Sequence, residues 1–414
     1  MTILVVGSGG REHALAWKLA QEAEVIAAPG NPGIAEVARC FPTPALDISA
    51  LVALARDQAV DLVVVGPEDP LIVGLADALR EAGIATFGPG REAAQLEGSK
   101  AFSKQLMNEA GVPTAAFGVF DDPRAAMAFC RARDEEGLYV VVKASGAALG
   151  KGVTVCGSLA EAQAAVRRAM VDREYGEAGA VVVVEDRLEG RELSLLTLCS
   201  DQGIFSLPLA QDYKRAFDND EGPNTGGMGG YSPIAWAPVD LVQRAEAHVV
   251  QPILDALRRR GIAYRGVLFS GLMVDGDDVH CLEYNVRFGD PETQTVMARL
   301  GSGLAVVLGA CARGEVIPPI EVLENAAVSV VVASEGYPGS IRKGLPVEIG
   351  LVPPEVRVFQ AGIADVDGRL VTNGGRVATV TATAPTLAAA RELAYAGASQ
   401  VRFEGAWFRT DIAQ

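Results

Sequence analysis

Lysine, histidine and cysteine are scarce in this 414-residue sequence: seven of its 36 basic residues are lysines, three residues are histidines and six are cysteines. Against those 36 cations stand 52 acids, a formal charge of −16. That balance excludes a surface built to track nucleic-acid phosphates and a polybasic membrane anchor. It is compatible with a small anionic substrate where local cations meet it. Cys40, Cys130, Cys156, Cys199, Cys281 and Cys311 are scattered with no CxxC pair, so neither a disulfide framework nor a zinc knuckle is indicated and they read as reduced core residues. No apolar run approaches the ~18 residues that a membrane helix needs. The opening Met-Thr-Ile-Leu-Val-Val-Gly runs straight into a strand and a glycine turn, and the reading is a cytosolic protein with no membrane or nucleic-acid partner.

What is present is an ordinary globular composition, 49% apolar and 21% charged, with 46 glycines. The length suggests two to four domains at about 100–200 residues each. Over residues 1–100, short apolar runs (Ile3–Val6, Val25–Ala28, Leu62–Val65, Ala85–Phe87) alternate with helical patterns (Glu12–Ala23, Leu71–Ala82). That alternation predicts a doubly wound parallel α/β domain, with ligands at the carboxyl ends of the strands. Three such ends carry unusual turns: Gly7-Ser8-Gly9-Gly10-Arg11, Pro29-Gly30-Asn31-Pro32-Gly33 and Gly66-Pro67-Glu68-Asp69-Pro70. Three on one edge point to a pocket. The first resembles a dinucleotide fingerprint, but Glu12 stands where the third glycine belongs and no acid ends the second strand, which argues against NAD. A tight turn needing positive φ explains this glycine cluster, by itself, as well as a phosphate site does.

A helix from Ser99 to Gly111 leads into a second region over 101–315, whose runs at Tyr139–Ser145, Gly152–Cys156, Ala180–Asp186, Leu193–Ser200 and Ile204–Leu209 predict a small α+β lid (about 113–190). A larger antiparallel sheet follows, taking in Gly266–Val274 and Val279–Val286. A helix over about 240–260 is expected on that sheet. Residues 326–414 carry their own strands and one helix and read as a third, small α+β domain. There are no repeats and no low-complexity tail.

Three constellations carry chemistry. Lys143 and Lys151 flank the glycine-rich stretch Lys143–Gly152, where backbone N–H groups and two ammonium ions can meet an anion; a hairpin loop with a solvated lysine is the plainer reading, but that two of only seven lysines flank this loop weighs against it. It is not a P-loop, since Gly152 follows Gly150-Lys151. In Leu282-Glu283-Tyr284-Asn285-Val286-Arg287, period-two alternation puts Glu283, Asn285 and Arg287 on one face. A carboxylate and an amide oxygen suit Mg²⁺, and the arginine suits a transferring phosphoryl group, although an exposed polar strand face has the same pattern. Asp212-Tyr213-Lys214-Arg215 precedes the glycine-rich Gly222–Tyr231, a length and composition typical of substrate clamps.

These segments, with Gly7 through Ala14, Ala28-Pro29-Gly30-Asn31, Gln95-Leu96-Glu97-Gly98-Ser99-Lys100, Pro223 through Gly229, Arg287 through Gln294 and Thr372 through Val377, resemble the glycinamide ribonucleotide synthetase family of ATP-grasp ligases over nearly the whole chain. The resemblance implies an α/β and α+β multidomain protein comprising an N-terminal doubly wound parallel domain, an ATP-grasp domain with a small lid, and a small C-terminal α+β domain. It further implies ATP, glycine and 5-phosphoribosylamine as substrates and Mg²⁺ or Mn²⁺ as metal, with a monomer as the family expectation. Lys104 and Lys143 would contact the ATP phosphates beneath a loop including Gly146, Gly150, Lys151 and Gly152. Glu185, Asp186 and Leu188 would lie at the adenine hinge and Glu192 would hold the ribose. Glu283 and Asn285 would bind metal, while Arg287, Lys143, Asp212 and Lys214 would be catalytic. Gly9, Gly10, Arg11, Glu68, Asp212, Lys214, Arg215 and Arg287 would meet phosphoribosylamine and glycine.

Two departures stand out. Ser145 replaces the family's usual aspartate, with Ala147 and Leu149 also changed, and Tyr213 replaces a usual histidine. Of the histidines, His13 follows the first glycine turn as a helix-start or pocket residue, and His248 and His280 read as structural. The expected activity is ligation of glycine to phosphoribosylamine through a glycyl phosphate. The rivals are an ATP-grasp ligase with another acceptor and a silent nucleotide-binding module.

Overall fold

The computed structural model describes residues 1–146 and 152–414. Gly150 and Lys151, together with the changed positions Ala147 and Leu149, lie outside the described residues.

The N-terminal runs form a five-stranded parallel sheet in the order Arg39–Cys40, Glu24–Pro29, Thr2–Gly7, Leu62–Val65, Thr86–Phe87. Alternate residues of the first strand enter two cores: Leu4 and Val6 pack on one face, Ile3 and Val5 on the other. Helices therefore cover both sides, as the continuous apolar runs require. The chain goes outward from the first strand and then returns to its other side, so the switch point falls at the strand ends that carry the Gly7–Arg11 and Gly66–Pro70 turns.

Glu12 explains why the first turn is no dinucleotide fingerprint. Its carboxylate accepts from Gly9 N–H at 2.6 Å and pairs with Arg11 Nε at 2.5 Å, filling the space beside Gly7, where a Cβ would lie 2.5 Å from Glu12 Cγ at φ +128°.

A four-stranded antiparallel sheet follows (Phe117–Phe120, Val182–Asp186, Val140–Ala144, Val153–Val155). It shares a small core with helices Pro123–Glu135 and Leu159–Val166 through Ala126, Cys130, Val142, Val166 and Val184. A second antiparallel sheet pairs Gly203–Ser206, Arg191–Ser200, Gly266–Asp275 and Asp278–Asn285. The helix expected over 240–260 packs on it, interrupted by one π-helical turn at Glu246–Val250. The last strand carries an irregularity: Glu283 faces Gly271 while Cys281 faces Leu272. The extra residue, Leu282, reverses the alternation. Cys281, Tyr284 and Val286 enter the core, while Glu283 and Asn285 take the opposite face.

The C-terminal sheet has the order Gln211–Asp212, Gly229–Ser232, Ala326–Ala333, Arg376–Ala384, Val356–Gln360, and helix Leu387–Ala398 packs on it. Its first two strands come from well before residue 326, where the sequence places the third domain. Gly-Gly-Tyr-Ser shows no apolar alternation to mark it as a strand. Gly229 permits the pairing, because a Cβ there, at φ +154°, would meet Ser329 O at 2.5 Å. Asp212 and the glycine-rich loop are thereby tied to the C-terminal unit.

Candidate active site

The strand after the small sheet's helices delivers Glu185, and this buried carboxylate gathers two lysines. Lys143 Nζ lies 2.5 Å from Glu185 Oε1, and Lys104 Nζ lies 2.7 Å from Oε2. Lys104 also donates to Thr114 Oγ1 at 2.5 Å, which in turn donates to Cys281 O. Lys143 reaches Leu282 O at 3.3 Å, the carbonyl of the bulged residue. Burial works against the Lys143 charge, but Glu185 and Glu283 outweigh it and raise its pKa. Lys104 has its pKa lowered by burial in spite of Glu185.

Glu283 sits among cations. Burial works to raise its pKa, yet Lys214, Lys143, Lys100 and Arg287 together hold it at about 2. Lys214 pairs with Glu192, and although burial opposes its charge, Glu192, Asp212 and Glu283 raise its pKa well above the ordinary lysine value. Burial, with Glu292 and Glu192 adding repulsion, lifts the Asp212 carboxyl well above its own ordinary value despite Lys214. Lys104, Lys143, Glu185, Glu192, Asp212, Lys214, Glu283 and Arg287 thus form one electrostatic cluster.

Arg287 joins this cluster to the N-terminal turns. Its Nε lies 3.2 Å from Glu68 Oε2, its Nη2 lies 2.8 Å from Glu97 Oε1, and its Nη1 donates to Phe288 O. Arg11 Nη1 donates to the same Phe288 carbonyl at 3.0 Å. Gly10 opens the first helix, and a Cβ on it would lie 3.0 Å from Gln294 Nε2. Gln294 is fully buried, and its Oε1 has no partner among the described residues. The C-terminal unit closes the other side. Arg376 binds Asp290 Oδ2 at 2.9 Å and Gly226 O at 2.6 Å, and Tyr337 Oη accepts from Gly226 N–H.

Four expected residues have side chains or amides engaged elsewhere. Asp186 turns outward to Arg133 Nε at 3.1 Å. Arg215 Nη1 donates to Gly222 O, closing its own hairpin. The Gly146 amide is taken by Ala178 O, and the Gly9 amide by Glu12. Leu188 is partly exposed just past strand Val182–Asp186, and Gly152 O accepts from Ala144 N–H. His13 is buried with Nδ1 accepting from Gln360 N–H, which makes it structural.

Both departures have local explanations. Ser145 Oγ accepts from Ala101 N–H at 3.0 Å, and its carbonyl accepts from Lys100 N–H, so it satisfies donors left open at the start of helix Lys100–Ala110. Tyr213 Oη accepts from Ala413 N–H under the Arg409 guanidinium, fastening the chain's last residues to the loop after Asp212. Lys100, Glu97, Asp290, Glu292 and Arg376 belong to signature segments of the sequence but had no assigned role, and Thr114 carries no sequence signal at all.

A switch-point α/β unit, two buried lysines, one on the small sheet and one on the helix before it, set beside a Glu-x-Asn strand, and a C-terminal unit clasping the glycine-rich loop together define an ATP-grasp enzyme. The chain belongs to the phosphoribosylglycinamide synthetase family: residues 1–97 match its N domain, 98–293 its ATP-grasp (A) domain and 327–414 its C domain. It is 46% identical to a phosphoribosylamine–glycine ligase of Rhizobium meliloti, over 100% of this chain and 98% of that one. It is 47% identical to the trifunctional purine biosynthetic protein adenosine-3 of Gallus gallus, over 99% of this chain and 42% of that longer protein. The phosphoribosylamine–glycine ligase crystal structure from Thermotoga maritima superposes with TM-score 0.86 at 35% identity, covering 100% of both chains. The biotin carboxylase domain of a Hydrogenobacter thermophilus 2-oxoglutarate carboxylase shares the fold at TM-score 0.75 and 18% identity, over 98% of this chain and 91% of that one.

Proposed function

We propose that the protein ligates glycine to 5-phosphoribosylamine at the expense of ATP, giving glycinamide ribonucleotide, ADP and phosphate. The observation that carries this reading is the junction at Arg287: one guanidinium links the lysine and Glu283 cluster, suited to a triphosphate, to the N-terminal turns at Glu68 and Arg11, suited to a second substrate. The full-length identity to proteins named phosphoribosylamine–glycine ligase supports the choice of substrates.

Glycine's carboxylate oxygen attacks the γ-phosphorus, the bond to the β-phosphate oxygen breaks, and ADP leaves. Lys104 and Lys143 neutralise phosphate charge and Arg287 meets the transferring phosphoryl group. The phosphoribosylamine nitrogen then attacks the glycyl carbonyl carbon and expels phosphate. Asp212, its carboxyl lifted above its ordinary value by burial and so made a stronger base, accepts the proton the amine loses, with Lys214 beside it. Gly10 and Arg11 hold the phosphoribosyl group, and the hinge at Glu185–Leu188 with Glu192 holds the nucleoside.

The residues fit a divalent metal. Glu283 is ionised throughout the working pH range and Asn285 shares its face. No group of three or more His, Cys, Asp or Glu among the described residues is spaced to hold an ion alone, which suits Mg²⁺ or Mn²⁺ completed by substrate phosphates and water. Glu283 and Asn285 would hold the ion, which would supply positive charge against the phosphates. No helix among the described residues is long and apolar enough to cross a membrane, and we place the enzyme in the cytoplasm as a monomer.

The test is ADP release with ATP, Mg²⁺, glycine and freshly generated phosphoribosylamine, omitting each in turn and weighing the product. Dependence on all four, with product at the mass of glycinamide ribonucleotide, is expected. ATP binding without that product overturns the reading in favour of another acceptor or a silent module.

A further inference from the structure

Glu97 lies at the end of helix Arg91–Gly98, in the connection between the N-terminal α/β unit and the helix that carries Lys104. Its buried carboxylate faces the strand end from the other side. Oε1 lies 2.8 Å from Arg287 Nη2, and Oε2 accepts from Val286 N–H at 2.7 Å. The same carboxylate therefore grips both the arginine's side chain and the backbone just before it. Glu68 takes Nε from the opposite flank, and Phe288 O takes one Nη1 hydrogen. A guanidinium has five N–H groups in a fixed plane. Three are committed here, which leaves two to face a ligand in one orientation.

We infer that Glu97 is the positioning residue for Arg287: it sets the plane and depth of the guanidinium that meets the transferring phosphoryl group. The inference rests on the role of Arg287 in the proposed ligation.

Energetics argue against a purely structural purpose. Desolvation pushes the Glu97 carboxyl up to about 7 even with Arg287 against it, and the repulsion of Glu68 adds to the shift. A buried ionic group held at such cost seldom stabilises a fold better than a neutral or apolar replacement. What it supplies is a rigid two-point hold on an arginine that must be placed to within a fraction of an ångström, since a displacement of about 1 Å can cost about 100-fold in rate. The ion pairs of Lys104 and Lys143 go to Glu185, whereas Glu97 pairs with Arg287, so its effect passes through Arg287.

The experiment compares wild type, Glu97→Gln and Glu97→Asp in steady-state ligation, with thermal unfolding of each and a crystal structure of Glu97→Gln. Gln keeps the shape but can accept only one of the two N–H groups; Asp keeps the charge on a shorter arm. The expected result for Glu97→Gln is a kcat lowered about 10–100-fold with the KM for ATP within about twofold of wild type. Partial recovery of kcat is expected in Glu97→Asp, with the Arg287 guanidinium displaced in the Glu97→Gln crystal. An unchanged kcat overturns the inference, and so does a loss that tracks Tm and raises the KM for ATP in both variants. If wild type itself forms no ligated product, the proposed reaction has failed. The crystal structure still decides the positioning role, and an undisplaced guanidinium overturns it.

Discussion

Lys104 and Lys143 are held by a single carboxylate: the two oxygens of Glu185 lie 2.7 Å and 2.5 Å from their Nζ atoms, all three side chains buried. Without a nucleotide, this carboxylate is the counter-charge that lets two cations stay out of water. Removing it by Glu185→Ala leaves Lys104 without its carboxylate and Lys143 with only the more distant Glu283 and Glu192, a loss expected to cost about 3–5 kcal/mol. Because phosphates can take over the neutralising role, Mg-ADP is expected to raise the Tm of the variant by more than it raises that of wild type. Thermal unfolding with and without Mg-ADP checks this; an equal or smaller shift would mean that the lysines do not meet the phosphates.

Glu283→Ala is expected to lower ligation at ordinary Mg²⁺ at least ~100-fold, since it removes the only carboxylate proposed for the metal. Undiminished ligation would sink the assignment. The surrounding Lys214, Lys143, Lys100 and Arg287 hold Glu283 ionised down to about pH 2. The acid limb of a pH–rate profile is therefore expected to reflect other groups, and Mg²⁺ affinity is expected to stay flat between pH 5 and pH 8.

His13 makes acid stability testable. Burial lowers its pKa from 6.5 to about 4. The folded state thus binds its proton less readily than the unfolded state. Its stabilising contribution is complete above pH 6.5 and shrinks as pH falls toward 4, by about 2 kcal/mol at pH 5. His13→Asn, measured by Tm across pH 5 to 7.5, is expected to show a shallower loss than wild type; parallel curves would refute the assignment.

Restoring the family's usual residue by Ser145→Asp is expected to be tolerated. The position faces Ala101 N–H at the start of a helix, where a carboxylate gains about 0.3–1 kcal/mol. A Tm equal to or above that of wild type, with kcat within about threefold, is the expected outcome. A sharp loss of activity with an unchanged Tm would mean that Ser145 itself serves the reaction.

Legibility followed sequence distance. The three strand-end turns, the position of Lys143 and the shared face of Glu283 and Asn285 could be read because each is a local pattern spanning a few residues. The bulge at Leu282 could not, although the same-face expectation for Glu283 and Asn285 stands because both lie beyond it. Adjacency groups Arg215 with Lys214, yet along its hairpin Arg215 turns to Gly222 O. Partners far apart left no trace: Glu97 meets Val286 across 189 positions and Arg287 meets Glu68 across 219.

The sequence by itself determined most of the secondary elements, the parallel character of the first unit and the kinds of group available for phosphate and metal, because propensity, periodicity and turn chemistry act over a turn or a strand. Only the tertiary structure decided which of those groups share a site. It took the crossing of the first sheet's switch point by Arg287, the capture of the Gly229–Ser232 strand by the C-terminal sheet and the burial of Glu185 between two lysines. Each depends on packing distant segments until their charges can no longer be met by water and must be met by one another.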